Sequence, residues 1–317
     1  MTTPTRPFTF SAAVQGIFDG PTLADMARRA EGAGYTSLVV PDHLIPQLGP
    51  VPAMTAIAAA TTTLRVGTFV FNNDLRHPAV LAQDLASIDV LSGGRLDVAI
   101  GAGWRKVEYE AIGLSFDDGP VRVSRLEEAV AVLKACFADD AASFEGHFYR
   151  LTEFDSQPKP VQRPHPPLLI GGGGKRILSI AGREAQVVGL APRQLAEQRV
   201  DPRSITWDAT AEKIAWARAA AGDRADELVF NVYPSAWPIT VTDDVQGTAR
   251  EVIDALRERS GIELTEAEVL ASPHLFIGSI DGLVDKFLAL RSELGISSIM
   301  VGDVDELRPV VERLAGS

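Results

Sequence analysis

Cysteine is almost absent from the sequence, and basic residues are outnumbered by acidic ones. The single cysteine among 317 residues, Cys136, has no second thiol with which to form an internal disulfide or a thiolate metal site. The 30 lysines and arginines stand against 42 aspartates and glutamates, which gives a formal net charge of −12. Because this excess repels phosphate backbones, it disfavours a nucleic-acid partner and favours a small-molecule substrate. We therefore expect an enzyme of the reducing cytoplasm.

Long apolar runs and paired histidines are also missing. No stretch approaches the ~20 consecutive apolar residues of a transmembrane helix, and residues 1–7 do not resemble a secretory signal. None of the five histidines lies three to five residues from another, which excludes a helical two-histidine metal site. We expect neither membrane association nor a bound metal.

What the chain does contain is a repeated alternation of short β-branched runs and amphipathic segments. In the amphipathic segments apolar residues recur every three or four positions, which is typical of the helices in βα units. Glycines close several of these segments, as in Ser92-Gly93-Gly94. Eight strands are predicted, at residues 8–14, 36–40, 65–71, 96–101, 167–170, 186–190, 228–233 and 297–301.

Eight βα units allow a closed (β/α)8 barrel or an open doubly wound sheet. The doubly wound alternative is weakened because the first turn, residues 15–20, lacks the G-x-G-x-x-G spacing of a dinucleotide site. Barrels of ~250 residues form single domains, so we predict one barrel domain over residues 1–317. The remaining residues are expected in insertions at about 140–166 and 193–211.

Four consecutive glycines, Gly171, Gly172, Gly173 and Gly174, follow the fifth predicted strand and precede Lys175 and a helical segment. Glycines let a backbone approach an anion closely, and the amides at a helix N-terminus favour a phosphate. The alternative is a mobile turn. The physics of the helix start favours phosphate binding, although the spacing is not that of a Walker loop.

Titratable and aromatic residues follow other predicted strands, where the catalytic groups of a barrel collect. Asp42 and His43 end the second strand, and His43 has the proton affinity needed for acid–base work near neutral pH. Adjacent side chains on a strand point to opposite faces, so a direct bond between the two is not assumed. Gly103 and Trp104 follow the fourth strand, where Trp104 forms either a wall for a flat ring system or ordinary packing at the rim.

Several of these segments together resemble the bacterial luciferase-like monooxygenase superfamily. They are VVPDH at residues 39–43, RHPAVLAQDLASIDVLSGGR at 76–95, AIGAGW at 99–104 and the glycines at 171–174. Within the superfamily, they resemble the coenzyme F420-dependent oxidoreductases. The resemblance extends over essentially the whole chain, and its motifs are more specific to the superfamily than to the cofactor.

The resemblance implies a (β/α)8 barrel with a deazaflavin or flavin across the carboxyl ends of its strands. It implies that the glycine run binds the cofactor phosphate and that His43 lines the active site. Lys175, Arg176 and Arg193 are candidate partners for the anionic tail of F420. It also implies a non-proline cis peptide near Thr68-Phe69-Val70, in a bulge that backs the ring, with Val70, Asn72 and Asn73 in the region of ring contacts. The alanine-rich helices at 53–60 and 78–86 resemble the subunit-facing helices of superfamily dimers, which predicts a homodimer.

One position departs from the sugar-phosphate dehydrogenases of the superfamily, which have a glutamate where this chain has Trp104. A less polar substrate than glucose 6-phosphate is therefore expected. Three functions remain open: an F420-dependent oxidoreductase, which we favour, an FMN-dependent two-component monooxygenase, and a catalytically silent coenzyme-binding barrel.

Overall fold

The computed structural model describes residues 6–195 and 199–317, and each of the eight predicted strands is present. The strands are β1 (Thr9–Ala13), β2 (Ser37–Val40), β3 (Arg65–Thr68), β4 (Phe71–Asn72), β5 (Leu96–Gly101), β6 (Ala142–Glu145), β7 (Arg150–Phe154), β8 (Leu168–Gly172), β9 (Val187–Leu190), β10 (Val229–Val232), β11 (Thr240–Val241), β12 (Ile277–Gly278) and β13 (Ile296–Val301). The helices are α1 (Gly20–Gly32), α2 (Pro50–Ala60), α3 (Pro78–Ser92), α4 (Lys106–Ala111), α5 (Gly119–Phe137), α6 (Lys175–Glu184), α7 (Trp207–Ala221), α8 (Val245–Ser260), α9 (Glu266–Ala271), α10 (Ile280–Leu294) and α11 (Arg308–Leu314).

The internal contacts of the chain define two compact units. Unit A consists of Val14–Glu31 and Ser37–Leu169, and unit B of residues 6–13, Gly32–Thr36 and Ile170–Ser317. In unit A, β3 pairs in parallel with β2 and with β5, and β4 pairs in parallel with β5. In unit B, β13 pairs in parallel with β1 and with β10, and β10 with β9. Parallel strands alternating with helices confirm the predicted (β/α)8 barrel fold. The single domain over 1–317 stays a prediction.

The third predicted strand contains a bulge. Gly67 pairs with Asp97 and Phe71 with Ile100, so four residue steps on one strand face three on the other. The strand predicted as one run therefore divides into β3 and β4. The peptide bond between Phe69 and Val70 is cis, which confirms the expectation from the resemblance.

Local sequence signals set the ends of α3, the helix that precedes β5. Pro78 occupies its first turn, and the His77 side chain accepts a hydrogen bond from the Ala79 amide. The helix ends at Gly93, whose φ of 68° and ψ of 38° are left-handed, so glycine is required there. This is the stop that the sequence predicted.

Three stretches depart from the βα repeat. The expected insertion at 140–166 contains the antiparallel hairpin of β6 and β7. The expected insertion at 193–211 runs into α7, and its residues 196–198 lie outside the described part of the chain. A third stretch, β11 to β12, was not predicted: α8 and α9 pack there on a buried apolar cluster. Ala249, Val252 and Leu256 of α8 recur at helical spacing, a signal that the sequence analysis missed.

Within the described residues, two kinds of functional feature are absent: membrane-spanning helices and metal-binding clusters. Within residues 6–195 and 199–317, no helix is both long and apolar enough to cross a membrane. In the same ranges, no group of three His, Cys, Asp or Glu residues is arranged to hold a metal ion. Cys136 is buried on α5, and burial raises the pKa of its thiol.

Candidate active site

Three loops of unit A carry most of the site residues that the sequence predicted. The first begins at Pro41 after β2, the second at Asn73 after β4, and the third at Ala102 after β5. The carboxyl ends of parallel strands are where barrel enzymes place their reacting groups. The unit A residues predicted for the site are Asp42, His43, Val70, Asn72, Asn73, Gly103 and Trp104.

His43 faces a carboxylate that the sequence analysis missed. Its Nδ1 lies 3.1 Å from each carboxylate oxygen of Glu108. The Glu108 side chain is only 4% exposed, and its Oε1 also accepts a hydrogen bond of 3.1 Å from Arg105. Glu108 lies on α4, a helix of six residues within the loop that follows β5. The signal for it was a glutamate four residues after Trp104, one helical turn further along the chain.

Asp42, predicted beside His43 as a catalytic residue, is occupied elsewhere. Its carboxylate accepts hydrogen bonds from Arg76 at 2.7 and 3.1 Å and from the Asn72 amide at 3.0 Å. Asp42 is buried, so these bonds compensate its charge. The structure thus does not bring Asp42 and His43 together: Asp42 ties the second loop to the first, and the carboxylate partner of His43 is Glu108.

Asn72 and Asn73 are buried, and their side chains already have partners in the protein. The Asn72 Oδ1 accepts hydrogen bonds from the Tyr109 hydroxyl at 2.9 Å and from the Asp74 amide at 3.1 Å. The Asn73 Nδ2 donates to the Tyr149 hydroxyl at 3.2 Å. Both amides therefore hold the second loop in place.

Gly103 and Trp104 shape the third loop. Gly103 has a φ of +73°, and a Cβ at this position would collide with the Tyr109 hydroxyl, so the loop requires glycine here. Trp104 is 47% exposed, and its ring meets the His43 ring edge to face with centroids 5.8 Å apart. Trp104 is thus a wall beside His43, which favours the first of the two interpretations left open by the sequence.

A charged network lies beneath these loops. Arg125 on α5 pairs with Asp74 at 2.9 Å and with Asp117. Asp74 also accepts a hydrogen bond from Tyr109, whose hydroxyl pKa is raised by burial. Buried polar groups that satisfy one another in this way hold a unique geometry. The network gives the His43 loop fixed surroundings.

The glycine run in unit B is a backbone structure. Gly171 and Gly172 end β8, Gly174 is the N-cap of α6, and Lys175 is its first residue. A Cβ at Gly172 would collide with Ile177, and one at Gly173 with the Pro192 carbonyl, whereas Gly174 faces open space. Two of the glycines are therefore required by packing, which argues against a loosely held turn.

The start of α6 suits an anion. Among the described residues, the N-cap Gly174 offers no side chain to the first amides of α6 and no acidic residue lies in its first turn, while Lys175 and Arg176 are exposed there. Basic residues at a helix N-terminus oppose the helix dipole unless an anion is bound between them. Arg193, considered from the sequence as a partner for an anionic cofactor tail, lies 3.8 Å from Asp201.

Three large aromatic residues of unit B lie in separate surroundings. Trp207 lines a pocket of about 570 Å³ together with Leu270 and Ile277. Trp237 packs against the apolar cluster of α8 and α9, and Tyr233 meets His274 edge to face at 6.4 Å.

Comparison with known proteins extends over almost the whole chain. A family model described as luciferase-like monooxygenase matches residues 3–298. The chain belongs to this family. The resemblance inferred from its motifs is therefore confirmed.

Among curated members of the luciferase-like family, the chain is similar to enzymes with two different cofactors. It is 38% identical over 128 residues to an FMNH2-dependent dimethylsulfone monooxygenase of Pseudomonas putida, covering 40% of this chain and 35% of that protein. It is 34% identical over 172 residues to an F420-dependent glucose-6-phosphate dehydrogenase of Kineococcus radiotolerans, covering 51% and 49%. The matches thus span half or less of these two relatives.

Solved structures share the fold over almost the full length of the chain. An F420-dependent tetrahydromethanopterin reductase from Methanopyrus kandleri has a TM-score of 0.74 at 19% identity and covers 98% of both chains. An F420-dependent secondary alcohol dehydrogenase also has a TM-score of 0.74 at 19% identity, covering 97% of this chain and 98% of that one. At this identity the likeness shows the fold alone.

Proposed function

We propose that this family member is an F420-dependent oxidoreductase that transfers a hydride between the deazaflavin and a small, uncharged organic substrate. The observation that carries the proposal is His43, half-buried beside Trp104 with its Nδ1 against a buried carboxylate. When a hydride leaves an alcohol carbon, the oxygen must lose a proton, and when a hydride adds to a carbonyl carbon, the oxygen must gain one. A histidine is suited to exchange this proton. The F420-dependent relatives support this choice of cofactor.

The residues of each unit fit the parts of such a cofactor. The N-terminus of α6, with Gly171 to Gly174 and Lys175, suits a phosphate because its N-cap residue is a glycine, which supplies no side chain to the first amides. In unit A, Val70, Gly103 and Trp104 are proposed to contact the ring system. For Asn72 and Asn73 the proposal becomes support of the loop, since their side chains are engaged by Tyr109 and Tyr149. When bound, the deazaflavin supplies or accepts the hydride.

The chain's own residues divide the remaining work. His43 holds or releases the proton at the substrate oxygen, and the Trp104 wall excludes water from one side of it. The basic residues of the neighbouring loops are paired, Arg105 with Glu108, Lys106 with Glu110 and Arg76 with Asp42. A substrate phosphate would therefore compete with existing carboxylate partners. This supports an uncharged alcohol or carbonyl compound over a sugar phosphate.

The second candidate is an FMN-dependent two-component monooxygenase, favoured by the 38% identity to the dimethylsulfone enzyme. Fluorescence titration of the purified protein with F420 and with FMN separates the two. We expect the tighter dissociation constant for F420, and tighter binding of FMN would overturn the leading choice. Tight F420 binding with no turnover across a panel of alcohols, aldehydes and ketones would favour the silent coenzyme-binding barrel.

We also propose a homodimer in the cytoplasm, as composition and resemblance led us to expect. Val80, Val90 and Leu91 on α3 are large apolar side chains exposed to solvent, which suits a subunit contact. Sedimentation equilibrium is expected to give twice the chain mass, and Leu91→Asp to reduce it. A monomeric parent protein would contradict the proposal.

A further inference from the structure

Glu108 is a buried carboxylate with no place in the sequence motifs that identified the family. It is almost fully shielded from water, and both of its oxygens lie at the same 3.1 Å from the Nδ1 of His43. A carboxylate of this kind is costly unless its charge is compensated. The Arg105 side chain compensates part of it, from a position 37% exposed.

The chemistry of the two groups fixes where the proton lies. An ionised carboxylate only accepts hydrogen bonds, so a neutral imidazole facing it must carry its proton on Nδ1. The other ring nitrogen, Nε2, then keeps its lone pair. The His43 ring also meets the Trp104 ring edge to face, at an interplanar angle of 86°, and this contact restricts rotation of the imidazole. The pair thus determines which nitrogen of His43 exchanges a proton.

We propose that Glu108 is a positioning residue: it holds His43 in the Nδ1–H tautomer and so makes Nε2 the atom that exchanges a proton with the substrate. This inference rests on the proposed function. In alcohol oxidation, the hydride leaves the carbinol carbon for the deazaflavin, the C–O bond becomes a carbonyl, and the hydroxyl proton passes to Nε2. The resulting imidazolium has its Nδ1–H opposite the Glu108 carboxylate, which stabilises it. Reduction runs through the same steps in reverse.

The position of Glu108 also revises the consequence of Trp104. The tryptophan stands where the resemblance places a glutamate in the sugar-phosphate dehydrogenases, yet in this chain a carboxylate contacts His43 from one helical turn further along. The carboxylate here lies behind the ring on Nδ1. It therefore orients the histidine, and the role of exchanging a proton with the substrate falls to His43.

The tautomer can be measured without a substrate. We would record long-range 1H–15N spectra of the full chain labelled at histidine, at about pH 8.5, where imidazole is ordinarily neutral. The His43 signals are assigned by their loss in His43→Asn. The parent protein is expected to show a protonated Nδ1 and an unprotonated Nε2. Glu108→Leu is expected to lose this preference and move most of the population to the Nε2–H form.

The control is Glu110→Leu, on the same helix, whose carboxylate pairs with Lys106 at the surface. It is expected to leave the tautomer unchanged. If Glu108→Leu fails to fold, Glu108→Met serves instead, because its thioether is a poor acceptor for an Nδ1–H and so removes the preference. A parent protein in the Nε2–H form, or a tautomer unaffected by both Glu108 variants, would overturn the inference. If the tautomer responds but His43→Ala keeps full turnover, Glu108 still orients the histidine, whereas the proton exchange proposed for His43 is refuted.

Discussion

Units A and B treat buried charge in different ways. In unit A each buried carboxylate of the candidate site faces a cationic or ionisable side chain, Asp42 with Arg76 and Glu108 with His43 and Arg105. In unit B the buried Lys213 instead donates to two backbone carbonyls, and burial lowers its pKa to about 8. The candidate site of unit A thus compensates its buried carboxylates with side-chain partners, whereas Lys213 of unit B is compensated by backbone carbonyls.

The unit A loops and the glycine run of unit B, which are both proposed to bind the cofactor, also differ in the groups that they offer. The unit A loops position side chains through a network of ion pairs and hydrogen bonds. The glycine run of unit B offers backbone amides and depends on the absence of side chains at Gly172 and Gly173. We therefore expect substitutions in unit A to change chemistry or fold through charge, and substitutions in the glycine run to act through shape.

The largest effect is expected from His43→Ala. Loss of a positioned acid–base group lowers kcat by about 10² to 10⁴-fold, while F420 affinity changes little because the phosphate contacts are proposed in unit B. Stopped-flow turnover with the best alcohol or ketone of the panel, beside an F420 titration, measures both. Retention of full turnover would remove His43 from the mechanism.

Asp42→Ala is expected to act on stability. It leaves Arg76 without its carboxylate partner, and because Arg76 is partly exposed we expect a loss of about 2 to 4 kcal/mol in the free energy of unfolding. Urea unfolding measures this loss. The His43 tautomer should be unchanged, since Asp42 does not contact it. If Asp42→Ala lacks activity but keeps the free energy of unfolding of the parent protein, Asp42 is a catalytic residue as the sequence predicted.

The glycine run allows a paired test of shape against charge. Gly173→Val should destabilise the fold by about 1 to 3 kcal/mol, since its side chain meets the Pro192 carbonyl. Gly174→Asp enters open space and caps α6, so we expect stability to rise by a few tenths of a kcal/mol at most. Its carboxylate should nevertheless weaken F420 binding by about tenfold or more, through repulsion of the phosphate. Unchanged affinity in Gly174→Asp would refute the phosphate site.

The smallest effect concerns the pH dependence of unit B. His274 is fully buried, and burial, with help from the charge of Lys213, lowers its pKa from 6.5 to about 3. Between these two pKa values His274 is protonated in the unfolded chain and neutral in the folded chain. The free energy of unfolding therefore decreases as the pH falls from 6.5 towards 3. His274→Phe should make the free energy of unfolding less dependent on pH. Near pH 4.5 the parent protein is expected to lose roughly 2 °C or more of thermal midpoint that the variant keeps. Thermal unfolding at several pH values, with exposed His147→Phe as the control, measures it; parallel curves would contradict the assignment.

The sequence alone determined the barrel, its strands, and the location of the glycine run. These features are local: a strand is a continuous run, α3 begins at a proline and ends at a glycine, and four glycines precede one helix. Residues close in sequence report such features directly. Family resemblance added the cis peptide, found between Phe69 and Val70.

The partners within the candidate site depend on long-range contacts that the sequence does not show. His43 and Glu108 lie 65 residues apart, and Asp42 and Arg76 lie 34 apart, so no spacing rule joins them. Sequence adjacency suggested Asp42 as the neighbour that tunes His43, but both residues lie in the loop after β2, where their side chains take different partners. Buried charges select whichever partner the loops bring within hydrogen-bond distance, and that choice depends on three loops meeting in space.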